Sequence, residues 1–145
     1  MTAISQPWFL WALGSAVFAA MTAILAKVGV EGVDSDLATF IRTLVVAALL
    51  GVLLLATGKL QSPASIAPRT YLFLSLSGMA TGASWLCYFR ALQLGDAARV
   101  APVDKLSVIL VTVFAVMFLG ERLTSLNWVG VCLIAAGVIL VAYKG

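Results

Sequence analysis

Apolar residues in this chain neither alternate nor keep to one helical face. They come in runs of about 20 broken by short polar turns, the length a helix needs to cross roughly 30 Å of hydrocarbon. Five runs qualify, over residues 8–26, 36–56, 71–92, 97–119 and 126–143. Lys27 and the turn VGVEGVDS end the first, and Asp34 or Ser35 is placed to cap the second helix. A polar loop, TGKLQSPASIAPR, follows with two prolines and no periodicity. QLGDA stops the third run with a glycine and offers Asp96 as a cap for the fourth. The tetrad GERL turns the chain into the fifth. The pattern predicts an all-α polytopic membrane protein, with residues 1–145 forming a single transmembrane domain.

Composition strengthens this reading. Hydrophobic residues make up 63% and charged residues 10%, against roughly 45–50% and 25% in soluble domains. Such a chain cannot cover its surface with polar groups, so membrane lipids are its expected surroundings. The net charge of +3 is the balance of six acidic residues and nine basic ones, the latter spread along the chain. They make no nucleic-acid patch and read as flanking anchors or embedded functional groups. There is no histidine, and Cys87 and Cys132 both lie inside apolar runs. Carboxylates do not cluster, and no nucleophile has a visible base, so no metal, cofactor or enzymatic chemistry is expected. The start, MTAISQPWFLW, carries no basic residue ahead of its apolar run and reads as a retained span rather than a signal peptide.

The distribution of charge between the loops is nearly even. Lys59, Arg69 and Arg122 fall on one side; Lys27, Arg90, Arg99 and Lys144 fall on the other. Two readings fit: a fixed orientation weakly marked, or copies inserted both ways and pairing head to tail. No internal repeat is present. Many transporters are built from two inverted copies of one unit, and a unit of five spans would invert automatically on duplication.

Candidate chemistry concentrates in three places. In RVAPVDKLSVIL, Asp104 and Lys105 lie about 11–13 Å into the fourth span, just after Pro102. Proline has no N–H and frees the carbonyl of Ala98, which predicts that the first turn or two of the span bends or loosens. Broken backbone at membrane depth survives beside protein or a hydrated cavity. Each charge is worth roughly +2.5 to +3.5 kcal/mol at a helix centre on an insertion scale. Adjacent helical residues do not face one another, so partners on other helices are expected: Arg42 for Asp104, and a substrate anion for Lys105. Arg42 itself lies about 9 Å into the second span, on a face with Ser35 and Thr39; snorkelling or a structural ion pair would equally place it there.

The third span, SLSGMATGASWLCYFRAL, stacks Ser77, Thr81, Ser84 and Tyr88 on one face. That stripe suits a cavity wall, although hydroxyls also bond to the preceding turn. The neighbouring face holds Gly78, Gly82, Trp85 and Phe89. The GxxxG pair predicts close approach of another backbone, and Trp85 is placed to pack, stack or gate. Lys27 and Arg90 read as interface anchors, and Glu121 and Arg122 as solvated turn residues. The fifth span, with Gly130, Gly137, Trp128 and Tyr143, reads as a packing helix able to meet a second copy.

The pieces ALQLGDAARVAPVDKLSVILVTVFAVMFLGERLT and WVGVCLIAAGVILV resemble the signature half of EamA-like proteins of the drug/metabolite transporter superfamily. PVDKLS looks like the small subgroup with one five-helix repeat, and the earlier spans fit as well. The resemblance implies inverted pairing, here as an antiparallel homodimer, in a bacterial or archaeal cytoplasmic (inner) membrane. It implies secondary transport or export of a small molecule by alternating access, without naming the cargo. Small multidrug exporters of the superfamily use a glutamate in their first span; this first span has no acid. A small, preferentially anionic metabolite is the expected substrate. Its site would comprise Lys105, Asp104, Arg42, Ser77, Thr81, Ser84, Tyr88 and Trp85. The alternative is a lipid translocator or an accessory membrane subunit.

Overall fold

The computed structural model describes residues 7–143. Lys144, counted above among the flanking charges, and the first six residues of the N-terminal reading lie outside that range. The helices are α1 (Pro7–Gly29), α2 (Ser35–Ala56), α3 (Pro68–Leu94), α4 (Ala97–Asp104), α5 (Ser107–Phe118) and α6 (Ser125–Ala142). A short 3₁₀ turn, Pro63–Ser65, interrupts the loop before α3. Taken end to end, α4 and α5 make one span, so five spans among the described residues are long and apolar enough to cross a membrane. Their apolar surface is largely exposed outside a bilayer, as helices whose solvent is lipid require.

Helix ends follow local chemistry. The carboxylate of Asp34 accepts from the N–H groups of Asp36 and Leu37 and caps α2. The hydroxyl of Thr124 accepts from the Asn127 N–H and caps α6. Asp96 occupies the cap position of α4 but makes no such bond. Its carboxylate instead takes the Arg99 guanidinium at 2.9 Å. A charged donor three residues on competes with the backbone for the same oxygens, which corrects the capping expectation. Gly120, at φ 69°, turns the chain after α5, and the Glu121 N–H returns to the Ala115 carbonyl.

The chain groups into two compact units, Leu25–Gln93 and Met1–Ile24 with Leu94–Gly145. In the first, Ala26, Val30, Phe89 and Leu92 are buried, together with the polar Ser35 and Thr39. Both hydroxyls have partners on α2 itself: Ser35 donates to the Asp36 carboxylate and Thr39 to the Ser35 carbonyl. Two longer bonds join the end of this unit. Lys27 Nζ donates to the Leu92 carbonyl at 2.7 Å, and Gln93 Nε2 to that of Val33 at 2.6 Å. In the second unit α6 packs against α4 and α5.

Candidate functional site

The structure distributes the predicted residues over the two units, and each cluster is built by its own elements. In the unit Leu25–Gln93, α2 carries Arg42 two turns beyond Ser35, inside the span and half-buried. Its guanidinium carbon lies over the Trp85 ring at 4.2 Å from the centroid, and over Phe89 at 5.5 Å. Trp85 and Phe89 are one helical turn apart on α3, so both rings present to the same cation. Trp85 therefore stacks, and the residue it stacks on is charged. A cation over an aromatic face is attracted by the ring quadrupole, more strongly once water is removed. Among the described residues no carboxylate of this unit is seen to pair with Arg42, whereas Arg99 pairs with Asp96 and Lys105 with Asp104.

Beside that aromatic face runs the hydroxyl stripe. Tyr88 is half-buried, one turn from Trp85, whereas Ser77, Thr81 and Ser84 are exposed. Thr81 donates to the Ser77 carbonyl at 2.9 Å, so its hydrogen is used within the helix while its oxygen can still accept. The GxxxG expectation is not met within the chain. A Cβ built on Gly78 or Gly82 meets nothing within 4 Å, so no other backbone among the described residues approaches there. The same open space surrounds Gly130 and Gly137.

In the second unit the span is interrupted after a proline near its start. Pro102 is the sixth residue of α4, and the helix ends two residues later. The loosening falls on Lys105 and Leu106 rather than on the first turn. There the N–H groups of Lys105, Leu106, Val108 and Ile109 bond to carbonyls three residues back, each at 3.0 Å. This tighter 3₁₀ pattern keeps the backbone satisfied while breaking the α-helical ladder. Lys105 Nζ meets Asp104 Oδ2 at 3.0 Å. The expectation that neighbours could not face one another is thereby corrected. Lys105 stands in the turn between α4 and α5, and its four-carbon stem swings sideways onto the adjacent carboxylate. More than half of the lysine side chain stays exposed, so a further anion can reach it.

Sequence reasoning did not find the bond from Lys27 to Leu92, the bond from Gln93 to Val33, or the second ring over Arg42. Phe89 carried a usable signal, one turn from Trp85 on the same face. Lys27 is more than an interface anchor, because its ammonium lies at the C-terminal end of α3. Among the described residues, no group of three or more His, Cys, Asp and Glu side chains could hold a metal.

Helices long enough to span a bilayer, with an embedded cation held on aromatic rings and a second charged pair at a helix break, define a polytopic α-helical membrane protein with polar groups at membrane depth. The chain belongs to the EamA-like transporter family, whose model matches residues 6–143; this is a family of transporters, not of enzymes. A relative from a Sinorhizobium species, described as an uncharacterized transporter in cobO 3'region, is 60% identical over 139 residues. The alignment covers 96% of this chain and 99% of that protein. No solved structure matches the chain.

Proposed function

We propose that the chain is a secondary transporter of a small, preferentially anionic metabolite, acting by alternating access in the cytoplasmic membrane. The observation that carries this reading is Arg42: an ionised side chain within a span, held by rings and without a carboxylate from its own unit. Ionisable groups within membrane spans are costly and mark substrate or ion pathways. Arg42 supplies positive charge, with Trp85 holding it and Ser77, Thr81, Ser84 and Tyr88 offering hydroxyls to the rest of the solute. Lys105 is a second anion contact. Asp104 occupies Lys105 in the resting state, and a coupling proton taken up by Asp104 releases the lysine. The sequence carries one five-span unit acting as a single domain, and two oppositely inserted copies form the working homodimer.

Purified protein reconstituted in vesicles tests the proposal. A solute panel should reveal uptake or exchange that Arg42→Ala and Lys105→Ala each abolish while helicity is retained. Uptake that survives both changes removes these residues from the site. Translocation of labelled lipid without solute flux would replace a solute transporter by a lipid translocator.

A further inference from the structure

The cations of the unit Leu25–Gln93 are not equivalent. Lys27 is bound to the Leu92 carbonyl, Arg90 reaches the Gln93 side-chain oxygen at 3.4 Å, and Arg69 lies over Phe73 near the start of α3. Lys59 belongs to the polar loop. Arg42 alone among them is half-buried inside a span, two turns from its start, with two rings as its contacts.

Rings cover only part of a guanidinium. Its five N–H donors lie in the plane of the group and point outward from its edges. Rings facing the guanidinium carbon at 4.2 and 5.5 Å restrict the group while leaving N–H edges for another partner. That fork matches two coplanar oxygens, the geometry of a carboxylate. Acids on α2 and in the turn before it do not fill it: none of Glu31, Asp34 and Asp36 forms an ion pair with Arg42. Asp34 is used by the backbone N–H groups of Asp36 and Leu37, and Asp36 accepts the Ser35 hydroxyl. The charge balance also selects the ligand. One half-buried guanidinium is matched by one carboxylate, whereas a phosphate group carries about −1.5 to −2 near pH 7 and leaves charge that Arg42 alone does not neutralise. Excess buried charge is strongly unfavourable.

We propose that the Arg42 guanidinium, clamped by Trp85 and Phe89, is the receptor for a single carboxylate group on the transported molecule. This rests on the transporter reading and narrows its substrate class. Trp85 and Phe89 act as positioning residues: they hold the fork edge-on so that both carboxylate oxygens are engaged together. A lysine at this place would keep the charge but lose the paired donors.

The test uses the full chain with Trp8, Trp11 and Trp128 changed to phenylalanine, so that Trp85 is the sole reporter of the four tryptophans. Butyrate and benzoate are titrated against butyramide, benzamide and inorganic phosphate, with circular dichroism as the control for folding. The acids should shift Trp85 emission saturably and the amides should not. Arg42→Lys should weaken acid binding by about ten- to a hundredfold, the loss expected for one charge-assisted hydrogen bond. Amides binding as well as acids, an Arg42→Lys protein binding as the parent does, phosphate binding more tightly than either acid, or no saturable response to acids would each overturn the assignment. Solute uptake by vesicles without acid binding would leave the transporter reading standing and this inference refuted. Acid binding without any flux would do the reverse.

Discussion

The guanidinium of Arg42 lies 4.2 Å from the centroid of the Trp85 ring. This contact ties the first half of α2 to α3 through a charge rather than through apolar packing. A cation–π pair contributes about 0.5–1 kcal/mol when exposed and about 2 kcal/mol when desolvated. A double-mutant cycle with Arg42→Gln and Trp85→Leu, followed by unfolding in detergent, should give a coupling in that range. Trp85→Phe should keep most of it, because a ring face remains. Additive single changes would show that the two groups stand together without interacting.

Lys27 makes a different kind of tie. Leu92 is 0% exposed, and its carbonyl is among the last four of α3, which lack intrahelical donors. The lysine supplies a hydrogen bond and places positive charge at the negative end of the helix. Lys27→Met keeps the apolar stem and removes both effects. It should destabilise the protein by about 1–3 kcal/mol, whereas Lys27→Arg should retain most of the stability. Equal unfolding midpoints for the methionine variant and the parent would show that water or another donor serves Leu92 equally well.

The spans and most of their ends were legible because they depend on local sequence. Runs of apolar residues set the helices, Asp34 caps α2, and Gly120 provides the left-handed turn after α5. Asp96 shows the limit even of local reading: its cap position is correct, but Arg99 takes the carboxylate. The long-range ties are less accessible. Lys27 and Leu92 are 65 residues apart, and Gln93 and Val33 are 60 apart, so no periodicity links them. Two charges beside Pro102 in an otherwise apolar run pointed to Asp104 and Lys105, but not to their direct pairing, which depends on where the helix breaks.

That break is itself testable. Pro102 lacks the N–H that would bond to the Ala98 carbonyl, and the 3₁₀ pattern follows at Lys105 and Leu106. Pro102→Ala restores the donor and favours a continuous helix from Ala97 into α5. Amide hydrogen exchange over residues 103–109 should then slow, while solute flux in vesicles falls. Unchanged exchange would mean that the break is set by the Asp104–Lys105 pair rather than by the proline.

Open space at Gly78 and Gly82 separates folding of one chain from pairing of two. A Cβ at either position meets nothing within 4 Å, so Gly78→Ile with Gly82→Ile should leave the helical content of each chain intact. If a second copy seats its backbone on this face, the same change should shift detergent-solubilised protein from dimer to monomer. Light scattering on the purified complex measures this directly. A dimer that persists at parental strength would place its interface elsewhere, with Gly130 and Gly137 on α6 the next pair to alter.

The pair at the helix break allows a structural role and a transport role to be separated. Lys105 and Asp104 neutralise one another at 3.0 Å, so removing one leaves the other as an uncompensated charge in the span. An embedded charge costs roughly 2.5–3.5 kcal/mol at the centre of a span on an insertion scale, and less near its ends. Lys105→Met alone and Asp104→Asn alone should therefore both lower the yield of inserted protein. The double variant removes both charges and should restore insertion, since replacing a paired charge by neutral groups of similar size is often tolerated. Transport should not recover with it, because the double variant has lost both the anion contact and the proton acceptor. Recovery of flux together with insertion would make the pair a purely structural element and leave Arg42 as the only charged group assigned to the substrate.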